Sequence, residues 1–141
     1  MIKSITQQGP SGCAPACVAQ LLGTSYSRAV KLFKSGKAKE IFKGFYCKEI
    51  VTVLRKKGFD YNFEYINKRN SKKIYKNGTI VFIKRTEKYP QGHYLIRFNN
   101  LWMDPWINMP KMNPAKSGFR KKLPGKSIYA ILRTDYPTEL K

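Results

Sequence analysis

Cys47-Lys48-Glu49-Ile50-Val51-Thr52-Val53-Leu54-Arg55-Lys56-Lys57-Gly58-Phe59-Asp60-Tyr61-Asn62-Phe63-Glu64-Tyr65 changes its hydrophobic period partway along. Cys47, Ile50, Val51 and Leu54 keep the i, i+3, i+4, i+7 spacing of one helix face. Lys56 and Lys57 suit the negative C-terminal end of that helix, and Gly58 stops it. Phe59, Tyr61, Phe63 and Tyr65 then alternate with Asp60, Asn62 and Glu64, the pattern of a strand with one aromatic face. The chain therefore passes from helix to strand here.

Upstream of this switch the readings are helical. Gly9-Pro10-Ser11-Gly12 is a turn-rich approach to a helix starting near Cys13, with Pro15 at an early position where a missing N–H is harmless. Val18, Leu21 and Leu22 form its apolar stripe, and Gly23 stands where a C-terminal cap belongs. Ser25 or Ser27 caps a second helix through Val30, Leu32 and Phe33, ending at Gly36. Downstream the readings are strands: Thr79–Ile83, His93–Phe98, Leu101–Asp104 and Ser127–Leu132. Asn99-Asn100 reads as a two-residue hairpin turn. Residues 68–77 and 107–126 read as loops rich in lysine, the second also in proline. The expected class is α+β, with N-terminal helices packed on an antiparallel sheet.

At 141 residues the chain has length for one core, so a single domain over 1–141 is expected. No apolar run approaches the ~20 residues a membrane-spanning helix needs. The first eight residues lack the apolar region of a secretory signal. Three cysteines, Cys13, Cys17 and Cys47, do not make a disulfide framework, so a reducing, cytoplasmic location is expected. The net charge is +20 and is spread along the chain rather than gathered in a tail. Such a field attracts polyanions, nucleic acid or acidic protein among them. Small size and high charge would also fit a virion-associated product of a phage or mobile element.

His93 is the single histidine. With a two-residue turn at Asn99-Asn100, Phe98 faces Leu101, Arg97 faces Trp102 and Ile96 faces Met103, which puts His93 on the same face as Asp104, diagonally across the ladder. A carboxylate so placed fixes the imidazole tautomer and steadies the imidazolium. Cys13 starts a helix in a stretch without acidic residues, where the helix dipole and a nearby imidazolium favour thiolate. N–H groups at that helix start can hold a developing oxyanion, and the Gln7 amide can supply a second donor. Cys, His, Asp and Gln are the components of a papain-type hydrolase. Cys17 and Cys47 read as packed small hydrophobes. A Cys₃His zinc site over Cys13, Cys17, Cys47 and His93 lacks a C-x2-C knuckle, and no metal or other cofactor is expected. Trp102 and Trp106 read as core or cleft-rim packing, and Arg120-Lys121-Lys122 as a solvated loop.

The segment from Gln7 through Cys13-Ala14-Pro15-Ala16-Cys17-Val18-Ala19 resembles the Q-x5-C-G-x-A-C-x-A signature of the bacteriocin-processing, double-glycine cysteine peptidases. Gly92-His93-Tyr94-Leu95-Ile96 and Met103-Asp104-Pro105 resemble that family's G-H-F-x-V and D-P motifs, and the stretch from Gly44 to Phe59 resembles its middle helix and following strand. Gly12 and Ala14 stand where the family usually has Asp and Gly, and with none of the family's transporter domains in these 141 residues a stand-alone peptidase-like protein is the expectation. The resemblance implies a papain-like fold and a peptidase acting on a peptide or protein, including glycine-rich sequences. It also implies roles. Cys13 is the nucleophile, His93 the base and then the acid, Asp104 the residue that orients His93, and Gln7 with the Cys13 N–H the oxyanion donors. Deamidation or transpeptidation would use the same residues. The alternative from another class is a non-catalytic protein of the same fold that binds a polyanion through its charge.

Overall fold

The computed structural model describes residues 3–112 and 114–134; the expected domain also includes residues outside these. Among the described residues four α-helices precede six strands: α1 Cys13–Leu22, α2 Tyr26–Leu32, α3 Gly36–Phe42, α4 Cys47–Lys56, then β1 Tyr61–Tyr65, β2 Ile80–Ile83, β3 His93–Phe98, β4 Leu101–Asp104, β5 Gly118–Arg120 and β6 Ser127–Arg133, with a 3-10 turn at Lys73–Tyr75 between β1 and β2. The strands form one antiparallel sheet in the order β1-β6-β2-β3-β4-β5. The α+β class read from the sequence is thus the observed one. None of the described helices is long and apolar enough to cross a membrane.

Period-2 alternation gives the sheet two buried faces. Tyr61, Ile80, Tyr94, Ile96, Met103 and Ile131 pack with α1, α2 and α4. Val81, Leu95, Trp102, Ala130 and Leu132 point the other way and are closed by Ile74, Tyr89 and neighbouring loop residues. α4 lays Ile50, Val51, Val53 and Leu54 into the first core. Its start is fixed by Glu49, whose Oε1 accepts from the Tyr46 N–H at 3.0 Å. α1 ends as its sequence requires, with Gly23 in the left-handed region at φ +67°. The β3–β4 turn also forms as expected. Asn99 and Asn100 both take positive φ, 50° and 64°, which Asn tolerates better than most residues. The register then pairs Phe98 with Leu101, Arg97 with Trp102 and Ile96 with Met103.

Several expectations are corrected. The second helix begins after Ser25, whose side chain accepts from the Arg28 N–H, but it ends at Leu32, with Phe33 extended. Gly36 does not end it but opens α3. A Cβ at Gly36 would lie 2.0 Å from the Val30 carbonyl oxygen, so the approach of α3 to α2 needs glycine. α3 escapes the sequence reading because only Gly36 is buried, leaving no apolar stripe. The aromatic face of β1 is only partly core. Tyr61 is buried, whereas Phe63 and Tyr65 are 39% and 64% exposed, because β1 is an edge strand. The strand starts at Tyr61 rather than Phe59. The loop at 107–126 contains β5, and the one at 68–77 is ordered by the buried Asn70, which donates to Glu64 Oε1 and the Tyr65 carbonyl at 3.0 Å each.

Candidate active site

Cys13, His93 and Asp104 come from α1, β3 and β4 and meet at one end of the sheet. Asp104 is fully buried. Its Oδ1 lies 2.6 Å from His93 Nε2 and accepts the Trp106 N–H at 3.0 Å. Its Oδ2 accepts from Arg120 Nε at 2.7 Å. Burial works to raise the Asp104 carboxyl, but the bonds from His93, Arg120 and the Trp106 N–H hold it below its ordinary value. His93 is itself 3% exposed, and its ring stacks on Tyr89 with centroids 4.9 Å apart and planes 15° off parallel. Burial opposes the charged imidazolium, but hydrogen bonds to Asp104 and Cys13 overcome it and raise His93 to about 9. Nε2 is taken by Asp104, so Nδ1 is the nitrogen left for the thiol.

Cys13 is half-buried at the first turn of α1. Its Sγ accepts from the Tyr94 N–H at 3.4 Å, which ties the thiol to the residue after His93. Its own N–H belongs to the helix turn that has no intrahelical acceptor. The approach loop is clamped from two sides. The Ser11 N–H donates to the Glu40 carbonyl at 2.6 Å, and the Gly9 N–H to the Tyr26 hydroxyl at 3.4 Å. Tyr26 in turn donates to the Glu40 carboxylate, and burial together with that bond pushes its phenol well up. Ser11 Oγ donates to Gln91 Oε1 at 2.7 Å, joining the loop before Cys13 to the loop before His93. A Cβ at Gly12 would stand 2.0 Å from the Tyr26 hydroxyl oxygen, so the position cannot carry a side chain without repacking. Gly92 has φ +74°, and a Cβ there would meet the Phe82 ring at 2.1 Å.

Gln7 is buried, and its N–H donates to the Pro105 carbonyl at 3.1 Å, which brings it beside the turn after Asp104. Its side-chain Nε2 donates to the Gly9 carbonyl at 2.9 Å. One amide proton is therefore used within the loop, and one remains. Gln7 is not among the residues lining the cleft described below.

The structure also places residues that the sequence reading did not assign. Arg120, read as part of a solvated loop, is on β5 and bonded to Asp104. No local pattern betrays it, because the contact depends on a strand hidden in an apparent loop. Cys47 is half-buried rather than fully packed. It lines the cleft with its Sγ 3.6 Å from the Tyr94 hydroxyl, and burial raises its thiol while that bond partly offsets the rise. Cys17 is fully buried, and burial, with Cys13 and Asp104 nearby, pushes its thiol well up. Trp102 is core, and Trp106 borders the cleft with its indole N–H bonded to the Lys111 carbonyl at 2.7 Å. Among the described residues no three His, Cys, Asp or Glu side chains group as metal ligands, so the Cys₃His arrangement is not formed.

Cys13 and His93 open onto a cleft of about 940 Å³ between the α3–α4 connection and the 85–92 loop. Its sheet side is lined by Phe63, Phe82, Tyr94 and Tyr129. Tyr129 pairs with both Tyr65 and Phe82, and Phe82 pairs with Tyr94, so one aromatic row crosses four strands toward the thiol. The ring centroids are 5.6 Å apart for Tyr65–Tyr129, 6.4 Å for Phe82–Tyr129 and 4.9 Å for Phe82–Tyr94. A thiol and an imidazole at the wall of one cleft, with the imidazole bonded to a buried carboxylate, make an arrangement capable of nucleophilic acyl chemistry. No protein-family model and no curated protein matches this chain.

Proposed function

We propose that the chain is a cysteine hydrolase of papain-like architecture, resembling the double-glycine peptidases, that acts on peptide bonds of a peptide or protein. The observation that carries this reading is the meeting of Cys13 and His93 at one cleft, with His93 Nε2 2.6 Å from the fully buried Asp104. Cys13 Sγ attacks the acyl carbon, and the C–N bond breaks as His93 delivers the proton it holds to the leaving amine. The Cys13 N–H and the remaining Nε2 proton of Gln7 are the donors proposed for the oxyanion. Water, deprotonated by His93, then releases the acid from the thioester and restores the thiol. Asp104 keeps Nδ1 turned toward the sulfur and steadies the imidazolium. A cytoplasmic location belongs to the same reading.

The test is thiol alkylation against pH, resolved peptide by peptide, on wild type and His93→Ala. Cys13 is expected to react quickly at neutral pH, ahead of Cys17 and Cys47, and to lose that advantage without His93. Turnover of peptide substrates is expected to vanish in Cys13→Ala with the fold intact. A Cys13 as slow as the other two thiols defeats the reading. A second reading, polyanion binding without catalysis, draws on the +20 charge. It requires salt-sensitive nucleic-acid or acidic-protein binding that survives Cys13→Ala.

A further inference from the structure

The cleft beside Cys13 has a one-sided charge. Lys43 and Lys48 stand on its α3–α4 wall and Arg85 on the opposite loop, while no Asp or Glu among the described residues lines it. Glu87, two residues past Arg85, is exposed but does not line the cleft, and Glu64, beside Phe63, accepts from Asn70. Glu40 holds Tyr26, Glu49 is paired with Lys39, and Asp104 lies buried between His93 and Arg120. Lys43, Lys48 and Arg85 are exposed and make no salt bridge among the described residues. Between the two cationic walls lies the aromatic floor of Phe82, Tyr129 and Phe63, the last 39% exposed. Phe42, 78% exposed, projects at the same cleft. Lys43 Nζ lies 5.9 Å from the centre of the Tyr46 ring, a contact that leaves its charge unneutralised. Cations without a carboxylate partner on both walls select carboxylates, and an aromatic floor selects large apolar side chains.

We infer that the cleft takes an acidic peptide segment, with an aromatic or large aliphatic side chain on the Phe82–Tyr129 floor and Asp or Glu side chains against Lys43, Lys48 and Arg85. Naming that peptide as a substrate rests on the hydrolase reading; the recognition itself does not. A duplex nucleic acid would meet the same charges, but its bases are stacked inside the helix and do not reach the aromatic floor, whereas a single strand can stack on it and is therefore an outcome of the test.

The probe is a fluorescent twelve-residue peptide of Glu, Asp, Leu and Phe, titrated against Cys13→Ala at moderate salt, beside an isomeric peptide with Lys in place of the acids. The acidic peptide is expected to bind at least about tenfold more tightly. Lys43→Glu with Arg85→Glu should weaken it about tenfold, while Lys121→Glu with Lys122→Glu, exposed and outside the cleft, should change it less than about twofold. In wild type the acidic peptide should also shield Cys13 from alkylation. Equal weakening by the two charge-reversal pairs, or no preference for acid over base, overturns the inference in favour of the overall field. So does a single-stranded oligonucleotide that competes more tightly with the same dependence on Lys43 and Arg85. Selective binding without cleavage by wild type leaves the inference standing and removes the hydrolase reading instead.

Discussion

Arg120 donates from Nε to Oδ2 of Asp104 at 2.7 Å, from the strand on the far side of Asp104 from His93. On β5, Arg120 is opposite Trp102 and Gly118 is opposite Asp104, so Arg120 meets the carboxylate diagonally. His93 meets it diagonally from β3. Asp104 is thus held from both neighbouring strands, each contact using the two-residue repeat of the ladder. A second Arg120 bond, from Nη2 to the Ile107 carbonyl at 3.5 Å, ties the guanidinium to the loop beyond β4.

Arg120→Met should therefore act through Asp104. Arg120 is one of the groups holding the carboxyl below its ordinary value, so its removal moves Asp104 upward. The acid limb of the pH profile for Cys13 alkylation should shift to higher pH, and Arg120→Lys should restore part of it. Stability should fall by about 2 kcal/mol, less than for a fully buried pair because Arg120 is a quarter exposed. An unmoved acid limb with the stability loss alone would make Arg120 structural only.

Raising His93 to about 9 links the fold to pH. The charged ring is favoured in the folded protein relative to an ordinary value of about 6.5. Its contribution is fully present below that value and is lost as pH rises through about 9, amounting at most to about 3 kcal/mol. Urea midpoints between pH 6 and pH 10 should fall for wild type relative to His93→Gln. Parallel curves for the two proteins would contradict the raised imidazole.

Gly12→Ala should destabilise by about 1–3 kcal/mol, because its methyl would stand 2.0 Å from the Tyr26 hydroxyl. Tyr26→Phe removes that oxygen but also the bond to Glu40 and the acceptor for the Gly9 N–H. The double variant should accordingly be less damaged than the two single losses added together. A double-mutant cycle by chemical denaturation checks this, and strict additivity would argue against the contact.

Ser11→Ala removes the 2.7 Å tie to Gln91 between the loops that carry Cys13 and His93. The stability change should stay near 1 kcal/mol. The rate of Cys13 alkylation at neutral pH should drop several-fold, since the thiol and the imidazole lose a shared brace. An unchanged rate would show that the Tyr94 N–H to Cys13 contact alone sets their spacing.

Local physics made much of this fold legible. Helix periodicity marks α4, glycine caps α1, and the positive-φ Asn99-Asn100 turn forces the register that brings His93 and Asp104 to one face. Each of these depends on residues within a few positions of one another, so the amino-acid order alone determines them. The helix α3 and the strand β5 were not legible, because a helix with one buried residue and a three-residue strand carry no period to read. The sequence by itself thus determined the α+β class, the β3–β4 hairpin and the residue types of the candidate site. Only the tertiary structure decided that Arg120 braces Asp104, that Ser11 joins Gln91, that the Gln7 amide spends a proton on Gly9, and that three cations face an aromatic floor. Those contacts join residues on separate elements or fold a loop onto itself, and it is the packing of the whole chain, not local propensity, that sets which polar groups find each other.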